Sequence, residues 1–315
     1  MSAGRDRQPR VLLKARPVPT QLADRLAAPW ADGLELYLAQ EDIAKEHWCS
    51  RLVAEIESHK VPAGFAYVVE GPLRSLDGSF FDLSRDTPSN RETLRRTVEF
   101  GSAIGASAAV IHAIAPRESA EDFSDGLKAA ALHRSLPLLT LYRDLCLEHS
   151  LIPTLENIPP VARMREGRFM HSIIGMEPAD LIDLAGRVPG IRVTLDVSHA
   201  QLYLNAVNAD RDEVPAEWQH LIAYIQSRAS VRTLNEYITA LGELPLEAHI
   251  SNASGLCGEG LAYDEGDLDL DNVVLALSGT VKYLVTETIE PDAATATRMR
   301  EAQRRIVQAL KREAT

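Results

Sequence analysis

The chain concentrates its chemistry in Val193-Thr194-Leu195-Asp196-Val197-Ser198-His199. A short apolar run delivers an acid and then an imidazole where a buried strand should end, and both are costly to desolvate unless something uses them. Other apolar runs end the same way. His112 follows Ala108 to Ile111; Glu156 and Asn157 follow Ile152 to Leu155; His249 sits in Leu246 to Ile250 with Ser251 and Asn252 behind it; Glu287 closes Lys282 to Thr286. Converging carboxylates raise one another's pKa unless a cation compensates. Glu156, Asp196, His249 and Glu287 together offer three oxygens and one nitrogen, a set suited to one divalent ion, Mn²⁺, Mg²⁺ or Co²⁺, which also accommodates Zn²⁺. An ion with open positions can hold two neighbouring substrate oxygens, polarise a carbonyl and stabilise an enediolate.

Such groups need elements to carry them, and the chain supplies one rhythm. Strands are predicted at 11–18, 33–38, 65–69, 108–112, 152–156, 193–196, 246–250 and 282–287. They alternate with helices at 20–28, 43–59, 91–104, 135–149, 179–187, 231–241, 268–276 and 293–311. Eight short, nearly continuously apolar strands alternating with eight helices predict an α/β fold, a single (β/α)8 TIM barrel, whose strands are buried on both faces and present their functional groups at their carboxyl ends. The barrel domain is expected over 11–315, behind a polar, arginine-rich disordered tail at 1–10. Residues 207–228 exceed what one crossover needs. They form a helical insertion after strand 6, and its Trp218 and Tyr224 suit either a lid or a contact between copies in a homo-oligomer.

Composition narrows the partners. With 315 residues, a net charge of -12 and a pI near 5.3, the chain lacks the basic surface that nucleic acid requires, so no nucleic acid is expected. No apolar run approaches the roughly 18 residues of a membrane span, and the expected location is the cytoplasm. Cys49, Cys146 and Cys257 form no disulfide framework or CxxC pair. The acidic loop 257–271, with Glu259, Asp264, Glu265, Asp267, Asp269 and Asp271, is expected to overhang the rim. It disfavours a phosphorylated substrate unless Arg163, Arg165 or Arg168 offsets it; a solvated charge run is the blander reading.

The segments Leu155-Glu156-Asn157, Leu195-Asp196-Val197-Ser198-His199-Ala200, Ala248-His249-Ile250 and Thr286-Glu287-Thr288 occur in an order that resembles the xylose isomerase-like TIM-barrel superfamily over essentially the whole chain. That superfamily holds sugar isomerases and epimerases, inosose and dehydroshikimate dehydratases, and family 2 AP endonucleases. The resemblance implies that Glu156 and Glu287 bind the metal and exchange protons beside a carbonyl, and that Asp196 and His249 complete the ligands. His199 then contacts substrate, or else orients Asp196. Ser198 departs from the family's Leu-Asp-x-Gly-His pattern, and Ser251-Asn252 stand where relatives carry an acidic or basic contact. Substrate contacts are therefore expected from His199, His112 and Asn252. The expected function is a divalent-metal-dependent isomerase or epimerase of a sugar-like or cyclitol-like hydroxy-ketone, working through a metal-stabilised enediolate and two-glutamate proton transfer. The alternative is a dehydratase in which His199 or Glu287 protonates a leaving hydroxyl; a non-enzymatic ligand-binding barrel comes third. An AP endonuclease would need a three-metal cluster with extra histidines, of which only His112 has a counterpart.

Overall fold

The computed structural model describes residues 8–164 and 167–313. Eight parallel strands close into a barrel in sequential order: β1 (Arg10–Ala15), β2 (Gly33–Tyr37), β3 (Ala66–Glu70), β4 (Ala108–His112), β5 (Ile152–Glu156), β6 (Arg192–Asp196), β7 (Pro245–Ile250) and β8 (Tyr283–Thr286). The strand period of two divides each strand between two environments. Val11, Leu13, Leu34 and Leu36 face outward into the large core under the helices. Leu12, Val68, Val110 and Val285 face inward, where they pack with Ala66, Ala108, Leu246 and Tyr283 as the barrel's own core. Gly33 permits the start of this closure, because a Cβ there would lie 2.3 Å from the Ala66 carbonyl oxygen on β3.

One step above that inner core the composition changes. The next inward positions are Lys14, Glu35, Glu70, His112, Glu156, Asp196 and His249, with Glu287 just past β8. The register sets several of them side by side, pairing Lys14 with Glu35, His112 with Glu156, and His249 with Asp196. Not five strands but all eight therefore end in an ionisable group.

The helices depart from expectation in four places. The segment expected as one helix at 43–59 is broken into Gln40–Ile43 and Trp48–Glu57. Arg16 clamps Asp42 with two bonds of 2.7 and 2.8 Å while Asp42 accepts the Ala39 amide, and His47 adopts a left-handed conformation at φ 51°. The helix expected from 135 begins at Asp125 and runs 24 residues to Glu148, with Ser124 as its cap and Pro137 tolerated inside. The third difference lies directly after β6, where Val197–Asn208 is already helical. Finally, the 207–228 insertion folds as two short 3-10 turns and the helix Gln219–Arg228. Its Trp218 is buried edge-on against Phe169 at 5.0 Å, and Tyr224 packs on Phe123 at 5.8 Å. Those partners belong to the loops after β4 and β5.

Residues 1–7 of the expected tail lie outside the described residues. Within the described residues Gln8 bonds the Leu310 carbonyl and Arg10 opens β1. Two small antiparallel sheets complete the rim. One joins Pro116–Arg117, Phe169–Ser172 and Val161–Arg163; the other is the hairpin Asn252–Ser254 with Gly258–Leu261.

Candidate active site

The carboxyl ends of the strands open into a cavity of about 540 Å³. At its floor the ligand-capable atoms of Glu156, Asp196, His249 and Glu287 all lie within 4.8 Å of one another. His249 is the hub. Its Nε2 faces Glu35 Oε2 at 3.1 Å, which leaves Nδ1 turned to Glu287 Oε2 at 2.5 Å, Glu156 Oε1 at 3.5 Å and Asp196 Oδ2 at 3.9 Å. A carboxylate behind an imidazole is how proteins fix the ring of a metal-ligating histidine. Glu35 ends no apolar run and so does not stand out in the sequence, yet its place in the alternation Gly33-Leu34-Glu35-Leu36-Tyr37 puts it on the inner face.

Two of the other candidate ligands, Asp196 and Glu156, are held by local structure. Asp196 caps the helix Val197–Asn208, its Oδ1 accepting from the His199 amide at 2.7 Å, while Oδ2 stays toward the cluster. The Asn157 side chain grips the backbone of Asp196, accepting from its amide at 2.7 Å and donating to its carbonyl at 2.9 Å. The asparagine beside Glu156 thus fixes β5 to β6 at the height of the site.

The electrostatics point to a missing positive charge. Both Glu156 oxygens, His249 Nδ1 and Glu287 Oε2 are buried with no hydrogen-bond partner among the described residues. A buried charge without hydrogen bonds is expensive. Burial works to raise Glu156, but His112 and His249 outweigh it and hold its pKa at about 2. Asp196 goes the other way, pushed up to about 7 by burial against the opposing pull of His199. Burial also works against the charged form of His249, and Glu35 overcomes it. The four residues fit a hard divalent ion: oxygen-rich, converging, short of donors, and buried except for the half-buried Glu287.

Of the expected substrate contacts, two line the cavity. His112 Nε2 lies 3.5 Å from both Glu70 and Glu156, and burial lowers its pKa against the pull of Glu156. His199 holds the Asn157 carbonyl at 2.9 Å through Nδ1 and faces Glu259 at 3.4 Å through Nε2. Burial opposes its charge, but Asp196 and then Glu259 hold its pKa at about 10. Asn252 does not face the cavity. Its amide donates to the carbonyls of Tyr263 and Leu268 and accepts from the amides of Ala253 and Leu268, so it shapes the turn behind the hairpin. The neighbouring Ser251 lines the cavity instead, with its hydroxyl buried and without a hydrogen-bond partner among the described residues. Strand alternation from His249 would have selected Ser251, since Ile250 faces out.

Ser198 also has a place. Its Oγ accepts from the Gly260 amide at 3.3 Å and ties the hairpin to the first turn of the helix after β6. Among the acids of 257–271, only Glu259 lines the cavity. Asp264 and Asp271 pair with Arg305, Asp267 accepts from Asn205, and Asp269 caps the next helix. Arg163 reaches the cavity lining; Arg168 is exposed, and Arg165 lies outside the described residues.

No family model matches the chain, and no curated protein matches it. Among solved structures the fold is similar to a D-tagatose 3-epimerase-like protein, at 14% identity and a TM-score of 0.64 over 97% of this chain and 100% of that one. It is similar also to 3-keto-D-glucoside 4-epimerase from E. coli, at 11% identity and TM-score 0.61 over 96% and 99%. A family 2 AP endonuclease from Brucella melitensis aligns at 14% identity and TM-score 0.59 over 92% and 97%. At these identities the likeness establishes the fold alone, a closed (β/α)8 barrel.

Proposed function

We propose that this chain is a divalent-metal-dependent isomerase or epimerase of a sugar-like or cyclitol-like hydroxy-ketone. The observation that carries the reading is the convergence of Glu156, Asp196, His249 and Glu287 within 4.8 Å, with donor atoms left unsatisfied, at the floor of an open cavity. A bound divalent ion would supply charge neutralisation and polarise a substrate carbonyl. Glu156 and Glu287, from strands three apart, are the bases held ionised: histidines lower the first, and Lys14 and His249 outweigh burial at the second. One removes the proton from the carbon beside the carbonyl, and the other serves the opposite side. Asp196 acts as a ligand anchored by the helix it caps, and Glu35 fixes the imidazole of His249. Structures that share the fold include ones named epimerase or epimerase-like, which supports this choice.

A dehydratase is the second reading, favoured by one observation. His199 keeps its proton to about pH 10 at the cavity wall, and a charged ring there can protonate a leaving hydroxyl. Proton NMR in D₂O against a panel of keto-sugars and keto-cyclitols separates the two. Deuterium at carbon without mass loss supports the isomerase; loss of water supports the dehydratase. Glu156→Gln should abolish either activity, with kcat down at least about 1,000-fold, while the fold persists. Metal analysis of wild type against Asp196→Asn tests the site beneath both. Equal metal content in the two proteins would overturn it.

A further inference from the structure

The barrel mouth holds three overlapping clusters of ligand atoms. Besides the four residues above, Glu70, His112 and Glu156 lie within 4.8 Å of one another, and so do Glu35, Glu70 and His249. On donor chemistry alone each cluster could take a divalent ion. The Lys14 ammonium reaches into all three. It contacts Glu70 Oε2 and Glu287 Oε1 directly and lies 3.3 Å from Glu35 Oε1.

The ammonium donates a hydrogen bond to Glu287 Oε1 and meets Glu35 Oε1 and Glu70 Oε2 as ion pairs, two buried oxygens with no hydrogen-bond partner among the described residues. Glu35 turns its second oxygen to His249 Nε2, Glu70 turns its own to His112, and Glu287 turns its own to His249 Nδ1. An ammonium has three donors and no acceptor, and here three carboxylate oxygens meet it. The side chain rises from the inner face of β1 above Leu12 and is only 6% exposed, so water screens it little. Its charge is held between Glu35, Glu70 and Glu287, against the glutamates that the two further clusters draw on.

We propose that Lys14 is a built-in cation that limits this site to a single divalent ion, a role that rests on the metal-site reading above. The ammonium takes one oxygen from each of three glutamates and leaves Glu287 Oε2 turned to His249 Nδ1 in the primary cluster. It thereby converts Glu70 and His112 from ligands of a second ion into part of the cavity wall. Removing the ammonium leaves Glu70 buried beside Glu156 and His112 without a counter-charge, and a second ion restores the balance.

Metal stoichiometry tests this. The protein is stripped with chelator, equilibrated with excess Mn²⁺, freed of loose ions by gel filtration and measured by elemental analysis. Wild type should retain one ion per chain, Lys14→Met two, and the double variant Lys14→Met with Glu70→Gln one again. Two ions in wild type overturn the proposal, as does one ion in a folded Lys14→Met, because Glu70 would then have taken a proton instead. Should Lys14→Met not fold, wild type in excess Mn²⁺ still decides between one ion and two. No ion in wild type, or equal content in wild type and Asp196→Asn, would instead defeat the underlying metal site.

Discussion

Glu247 stands one pleat below His249 on the inside of β7, fully buried, with Oε1 accepting from the Thr194 hydroxyl at 2.8 Å. Burial, and then the charge of Glu35, raise its pKa to about 8. In an unfolded chain a glutamate titrates near about 4.3. Between those two values the folded protein holds a proton that the unfolded chain does not, so this contribution to stability is full below about pH 4.3 and is lost as pH rises through 8. Glu247→Gln keeps an acceptor for Thr194 and removes the titration. The variant should match wild type near pH 5 and exceed it at pH 9 by on the order of a few kcal/mol, since each tenfold change in proton affinity is worth about 1.4 kcal/mol. Urea unfolding of chelator-treated protein at the two pH values measures the difference; an unchanged gap between the proteins would mean that Glu247 is ionised in the fold. Glu247 shows what a sequence reveals and what it hides at this scale. Glu156, Asp196, His249 and Glu287 were legible because each ends an apolar run, and an acid or imidazole there stands out. Lys14, Glu35 and Glu70 were not, because a charged residue inside or at the edge of a short strand also fits a half-exposed strand, and only barrel closure turns all of them inward.

The hairpin Asn252–Ser254 with Gly258–Leu261 is the element that converts the open end of the barrel into a bounded cavity. It is fastened in three directions. Ser198 accepts from the Gly260 amide, the Gly260 carbonyl accepts from the Ile289 amide at 2.8 Å, and Asn205 donates to the Gly255 carbonyl at 2.8 Å. Gly260 is required where it sits: its φ is +68°, and a Cβ would come within 2.5 Å of the Ile289 side chain. Ser198→Ala removes one fastening worth about 1 kcal/mol. Amide exchange at Gly260 should accelerate roughly five-fold, while exchange in β7 stays unchanged. Unaltered exchange at Gly260 would mean that the serine does not hold the hairpin. The eight strands were legible from apolar runs alone, but this fastening depends on a bond across 62 residues, which local pattern does not encode. The same limit explains the helix break near His47. The apolar spacing at 43–59 is helical throughout, and at the break the Arg51 and Arg96 side chains donate to the Asp42 and Ile43 carbonyls, bonds that local pattern does not announce.

At the scale of the whole molecule the site is a concentration of like charge in a chain that already carries a net -12. Glu35, Glu70, Glu156, Asp196 and Glu287 share the end of one barrel with a single lysine, and the strands that carry them are held together by the apolar layers below and around. Folding energy from those layers therefore holds together groups that would repel, so stability and function should oppose each other at this end of the barrel. A divalent ion reverses the sign. If the ion binds only the folded chain, Mn²⁺ at about 1,000 times its Kd adds about 4 kcal/mol, or roughly 10 °C in Tm for a domain of this size. Asp196→Asn separates the two effects, because it removes one repelling charge and one ligand oxygen while an asparagine still accepts from the His199 amide as helix cap. In chelator at pH 8 the variant should melt at or above the wild-type temperature. In Mn²⁺ the order should invert, with wild type gaining the full increase and the variant little. Thermal melts of both proteins under both conditions provide the check. A wild type whose Tm ignores Mn²⁺, or a variant that gains as much, would show that the acids at the barrel end are balanced without an ion.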